Sequence, residues 1–91
     1  MFRLAQTAAF ERRLQRFLQR HPDLRSRIAQ VMRDLSHDPF STHLHLHSLT
    51  GRMSGLHAVR LTYSYRLIVR IDSEARRIAL IDIGSHDEVY G

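Results

Sequence analysis

The sequence predicts an α+β domain of order β-α-α-β-β-β, with a helical hairpin packed on one face of a small antiparallel sheet. Three observations predict it. Apolar residues recur twice at helical spacing between residues 8 and 36. From residue 56 to 72 apolar and polar residues alternate at period two, and an almost wholly apolar run then reaches Ile83. Breakers such as Pro22, Pro39, Gly51 and Gly55 punctuate the chain between these patterns. The 91 residues make one domain, spanning 1–91. A chain this short buries only roughly 60–65% of its surface, so one sheet with one helical layer is about all it can build.

Phe2 to Ala5 is short and apolar apart from Arg3, and reads as an edge strand. Thr7 offers an N-cap hydroxyl. From Ala8 to Arg20 the apolar residues Phe10, Leu14, Phe17 and Leu18 follow the i, i+4, i+7, i+8 spacing of an amphipathic helix. Arg12, Arg13, Arg16 and Arg20 occupy its other face, which is either solvated or turned to a large anionic surface. Pro22 ends this helix and Asp23 is placed to cap the next. Leu24, Ile28, Val31, Met32 and Leu35 then restore the spacing to about Ser36, and Asp38-Pro39 closes the segment. So short a link makes the two helices an antiparallel hairpin.

Phe40 to Gly55 is the least regular stretch. On an extended chain His43, His45 and His47 would share one face, a geometry able to bind a metal. With no Cys and no ligand pattern among the acidic neighbours, the stretch reads instead as a polar loop, with His47 the residue best placed to reach an active site. From Leu56 to Thr62, Val59 and Leu61 point one way and Ala58, Arg60 and Thr62 the other. After a tight link at Tyr63-Ser64, Tyr65, Leu67, Val69 and Ile71 oppose Arg66, Ile68 and Arg70. Ser73 to Ala75 turns the chain again. Arg77 to Ile83 is apolar on both faces, as an inner strand should be. Gly84 is expected to break that strand. His86 and Tyr90, four residues apart, then share one side of a helical turn just past a rigid sheet. Asp87 and Glu88 between them read as solvated or structural.

The charge narrows the function. The formal net charge is +5, and all 14 basic residues are Arg. Guanidinium groups favour bidentate phosphate contacts and base stacking, so the chain implies a nucleic-acid or acidic-protein partner. The absence of Cys excludes disulfides and fits a reducing cytoplasm. No stretch is long enough to span a membrane and no leader-like apolar segment is seen. If Leu67, Val69 and Ile71 pack on the helices, the opposite sheet face carries Arg60, Arg66 and Arg70, and the tail delivers His86 and Tyr90 beside them. These parts describe an RNA-cleaving site that needs neither metal nor cofactor. A base takes the 2′-hydroxyl proton, an acid protonates the leaving oxygen, and cations stabilise the phosphorane. Imidazole suits the proton transfers, guanidinium the phosphate, and Tyr an unpaired base.

Three segments carry a resemblance: "HSLTGRMSG" (47–55), "RLTYSYRLIVRI" (60–71) and "IGSHDEVYG" (83–91). With the element order, they make the chain similar to the RelE/ParE superfamily of bacterial toxin–antitoxin toxins, especially its RelE and YafQ branch. The resemblance covers nearly the whole chain. It implies a compact type II toxin that cleaves messenger RNA, usually in the ribosomal A site, and is neutralised by a cognate antitoxin. A basic toxin of this kind calls for an acidic, partly disordered antitoxin segment that folds on contact. The YafQ-like ending places the catalytic His on His86 and the following aromatic on Tyr90. The His before the Leu-x-Gly signature falls on His47, the RelE-like strand Arg on Arg60, and the Tyr-Arg pair on Arg66. YafQ-like toxins carry His and Asp where this chain has Arg60 and Ser64, and RelE-like toxins use Lys in the loop before the sheet, where this chain has none. The expected catalytic set is therefore His86, Arg60, Tyr90, Arg66 and His47, with Arg60, Arg66, Arg70 and Tyr90 binding RNA and the general base left open. The imidazole of His86 and the guanidinium of Arg60 are expected to converge on one phosphate-sized space. The alternative is a ParE-like inhibitor that binds DNA gyrase without catalysis. A further one is a degenerate member that only binds its antitoxin.

Overall fold

The computed structural model describes all 91 residues. The predicted strands and helices are present. They run β1 (Arg3–Gln6), α1 (Ala8–Arg20), α2 (Arg25–His37), β2 (His47–Ser48), β3 (His57–Arg60), β4 (Tyr65–Asp72), β5 (Arg77–Ser85) and α3 (His86–Tyr90). Short 3-10 turns cover Pro22–Leu24, Thr42–Leu44 and Gly51–Met53. The five strands lie in the order β1-β5-β4-β3-β2. The sheet is mixed rather than wholly antiparallel, because β1 runs parallel to β5, with Arg3 opposite Arg77 and Gln6 opposite Leu80. The crossover that parallel pairing needs is supplied by the chain between them, helices included.

α1 starts where expected: the Thr7 hydroxyl accepts the Phe10 amide at 3.1 Å. α2 does not use Asp23 as a cap; the 3-10 turn from Pro22 winds directly into it. One core lies between the helices and the sheet. Phe10, Phe17, Ile28, Val31 and Leu35 meet Val59, Leu61, Leu67, Val69, Ile78, Leu80 and Ile83 there. At about 1.5–3 kcal/mol for each fully buried large apolar side chain, this layer dominates stability.

The two-faced character of the third predicted strand has a specific cause. The β4–β5 ladder slips by one residue between Ile68 and Val69, which pair with Asp82 and Leu80. The extra residue is a β-bulge. It lets Ile78 and Leu80 before the slip and Ile83 after it all face the helices, while Ile81 packs on the other side.

That other side is not bare. Ala58, Ile68 and Val89 form a second small cluster, with Leu49, Met53, Leu56, Ile81 and Tyr90 around it. α3 therefore folds back over the sheet. Gly84 does not break β5, which continues through it to Ser85. It makes room instead: a Cβ at this position would lie 3.1 Å from the Glu88 Cβ. Gly84→Val should accordingly cost about 1–3 kcal/mol through overpacking. Amide exchange should show the loss concentrated in residues 86–90 while the β4–β5 core keeps its protection. Unchanged protection at 86–90 would show that the helix does not rest on this strand.

Candidate active site

α3 is five residues long, too short to be helical by itself. Three contacts hold it. Val89 is buried in the second cluster, worth up to about 1.5–3 kcal/mol. A capping box fixes the first turn: the Ser85 hydroxyl accepts the Glu88 amide at 3.2 Å, and Glu88 Oε1 accepts the Ser85 amide at 2.8 Å. Such a cap contributes about 1 kcal/mol. Arg20 at the end of α1 reaches Glu88 at 3.6 Å, an exposed pair worth roughly 0–1 kcal/mol. Val89 thus anchors the helix and the capping box sets its direction. Hydrogen bonds from the Ser85 amide and hydroxyl, with smaller help from Arg20, hold the Glu88 carboxyl below its ordinary range.

So directed, α3 presents His86 and Tyr90 together, their ring centroids 4.5 Å apart and edge to face. The two line a cleft of about 440 Å³ with His47, Leu49, Thr50, Arg52, Met53 and Arg66. His86 remains largely exposed and its Nδ1 stands 3.6 Å from the Asp87 carboxylate. Opposite, His47 sits on β2, its Nδ1 3.2 Å from the His45 carbonyl. His43, His45 and His47 do not share a face. His45 adopts a left-handed conformation (φ 51°) that breaks the extended run, and His43 turns away to bond Asp34 at 2.9 Å and Ser41 at 2.7 Å. That contact lowers the Asp34 carboxyl, with help from Gln30.

Arg66 serves two ends. One terminal nitrogen donates to the carbonyls of Thr62, Tyr63 and Tyr65 at 3.0–3.2 Å, which staples the β3–β4 loop. The same side chain lines the cleft. The structure thus brings together four of the five expected catalytic residues: His47, Arg66, His86 and Tyr90. Arg60 pairs directly with Arg66 across the β3–β4 ladder and shares its face, but it lies just outside the cleft lining, its Nε buried and without a partner. Arg70 lies four residues further along β4, exposed and outside the cleft.

Arg52 is the cation that sequence reasoning missed. It rides the 3-10 turn Gly51–Met53, which Gly51 (φ 65°) and Gly55 (φ 91°) shape. The signal was present: Arg52 is the one arginine in the loop between α2 and β3.

The family of bacterial toxins of type II toxin–antitoxin systems, YafQ, matches residues 2–91. The chain belongs to the YafQ toxin family. It is a toxin of a type II toxin–antitoxin system. Solved structures agree on the fold. The YafQ toxin from E. coli strain BL21(DE3) superposes with a TM-score of 0.84 at 15% identity, covering 100% of both chains. The toxin in the E. coli DinJ–YafQ complex gives 0.82 at 15% identity over 100% of both. The YoeB/ParE toxin from Agrobacterium tumefaciens gives 0.76 at 23% identity over 93% of this chain and 99% of that one. No curated protein sequence matches. No helix of the toxin is long and apolar enough to cross a membrane.

The capping box makes two predictions. Ser85→Ala should cost about 1 kcal/mol and speed amide exchange in α3. The Glu88 carboxyl is depressed in the folded state, so its stabilisation is present above the ordinary value of 4.5 and fades as pH falls through the lowered one. Glu88→Gln, which keeps a capping side chain, should flatten the pH dependence of α3 exchange below pH 4.5. An unchanged slope would detach Glu88 from the effect.

Proposed function

We propose that this toxin is an endoribonuclease that cleaves messenger RNA by attack of the 2′-hydroxyl on the adjacent phosphate, using protein side chains for the proton transfers and the charge. The observation that carries the reading is the cleft itself: two imidazoles, a tyrosine and two guanidinium groups around one space.

Roles follow from hydrogen bonding. A carbonyl only accepts, so the His47 Nδ1 that faces the His45 carbonyl carries the proton. The neutral ring then has its lone pair on Nε2, and His47 is the general base that takes the 2′-hydroxyl proton. His86 lines the other side of the cleft, its Nδ1 3.6 Å from the Asp87 carboxylate. It is the general acid that protonates the departing 5′-oxygen. The bond from O2′ to phosphorus forms as the bond to O5′ breaks, leaving a 2′,3′-cyclic phosphate and a 5′-hydroxyl. Arg66 and Arg52 offset the charge of the phosphorane. Arg60, paired with Arg66 on the same sheet face, supports an adjacent phosphate. Tyr90 stacks on an unpaired base.

The partners follow from the same reading. The E. coli YafQ toxin has been solved with DinJ, and a net charge of +5 suits an acidic antitoxin segment that folds on contact. The message is met on the ribosome, in the cytoplasm, where the basic face of α1 suits ribosomal RNA.

His86→Gln should preserve the circular dichroism spectrum and lower RNA cleavage about 10²–10⁴-fold, abolishing growth arrest on expression. His47→Gln should lower cleavage to a comparable extent. Primer extension on cellular messages reads the cleavage, and a gyrase supercoiling assay runs beside it. Inhibited supercoiling with intact messages would replace the nuclease by the ParE-like reading.

A further inference from the structure

The cleft takes up one end of the sheet face that carries α3, and the remainder of that face is arginine-marked and open. Val69 and Ile71 face the helix-side core, so Arg70 between them faces the other way. Ile78 and Leu4 also face the helices, so the preceding Arg77 and Arg3 share the face of Arg70. Arg3 and Arg77 are direct partners in the parallel register. Arg70 pairs with Ala79, and Ala79 with Ala5. Two alanines thus form a low floor beside three exposed guanidinium side chains. Asp72, paired with Arg77, is the acidic group of this face, and its Oδ1 is committed to the Ala75 amide at 3.0 Å. None of Arg3, Arg70 and Arg77 stands within ion-pair distance of a carboxylate.

Like charges directly opposite in a ladder are destabilising, and the fold places Arg3 and Arg77 so. It also holds Arg76 in the left-handed region (φ 55°) with its guanidinium 4.9 Å from the Phe2 ring centroid. Phe2, Arg3, Arg76 and Arg77 line a hollow of about 360 Å³ at the far end of the face. From the Arg66 row to the Arg77 row is six residues of β4, about 20 Å.

We propose that this face is a track for single-stranded RNA. Arg70, then Arg77 and Arg3, hold successive phosphates of the strand whose scissile phosphate lies in the cleft, and the strand ends over the Arg76 hollow. The proposal rests on the nuclease reading and extends it to the flanking nucleotides. Planar guanidinium forks match phosphate oxygens. An acidic protein segment that folds on binding needs apolar anchors, and between the arginines this face offers Ala5 and Ala79.

The test uses oligoribonucleotides of about 4 and about 12 nucleotides, sizes that span single-strand grooves, made uncleavable by a 2′-deoxy sugar at the scissile position. Wild type should bind the long one at least about 10-fold more tightly than the short one at low salt. A triple variant, Arg3→Ala, Arg70→Ala and Arg77→Ala, should bind both lengths alike. Its slope of log affinity against log salt on the long oligonucleotide should be shallower by about 2, at about 0.7 per single-strand phosphate contact, while short-oligonucleotide binding stays at the wild-type level. Long-oligonucleotide binding unchanged in the triple variant overturns the track and leaves the nuclease reading standing. Absence of binding by wild type at either length overturns both. A variant that keeps RNA binding but loses binding to a poly-glutamate peptide reassigns the face to protein and likewise overturns the track.

Discussion

A five-residue helix laid back across its own strand is the constraint on which the cleft depends. Without that fold-back, His86 and Tyr90 would extend past the sheet, away from Arg66 and His47. The fold-back rests on close approach to the strand at Gly84, an apolar anchor, supplied by Val89, and a first turn whose amides are satisfied, supplied by Ser85 and Glu88. The anchor is the largest contribution and the capping box the most directional. A short helix with one anchor sits near the weakly held end of the stability range. The two proposed proton-transfer groups differ accordingly: His47 is fixed within the sheet and His86 rides a small docked element.

Electrostatics gives the molecule two unlike sides. On the helix side, Arg13 reaches Asp82 and Arg20 reaches Glu88, so part of the α1 arginine row is tied to acidic partners. On the sheet side the arginines are mostly unpaired by carboxylates. Arg66 spends one nitrogen on three loop carbonyls, which makes it a positioned cation instead of a mobile one. Positioning of this kind is what stabilises charge that develops only during reaction.

Much of this was legible in the sequence. Both helices were written in the spacing of Phe10, Phe17, Ile28, Val31 and Leu35, and the faces of β3 and β4 in their alternation, because burial on one side imposes period. The pairing of His86 with Tyr90 was legible from their separation of four. The rest was hidden for physical reasons. β2 is two residues long, too short to show a period. The parallel partner of β1 is a long-range choice that no local pattern encodes. β5 is the inner strand its apolar run suggests, lying between β1 and β4, but the one-residue slip within it depends on its pairing with β4 and leaves no local pattern. Gly84 was read as a breaker, when its cause lies four residues ahead at Glu88. Asp23 was read as a cap because its residue type suits one, yet the 3-10 turn made a cap unnecessary. Arg60 was placed in the cleft by its alternation, which gives the face of a side chain but not how far along that face a cavity extends.

The most direct measurement is a structure of the toxin with a short RNA carrying a 2′-deoxy sugar at the scissile position. α3 should be docked over Gly84, with one phosphate within hydrogen-bond distance of both the His86 ring and the Arg66 guanidinium and the 2′-carbon turned toward His47. A phosphate bound away from these groups, or RNA seated in the cleft with α3 undocked from the sheet, would contradict this arrangement.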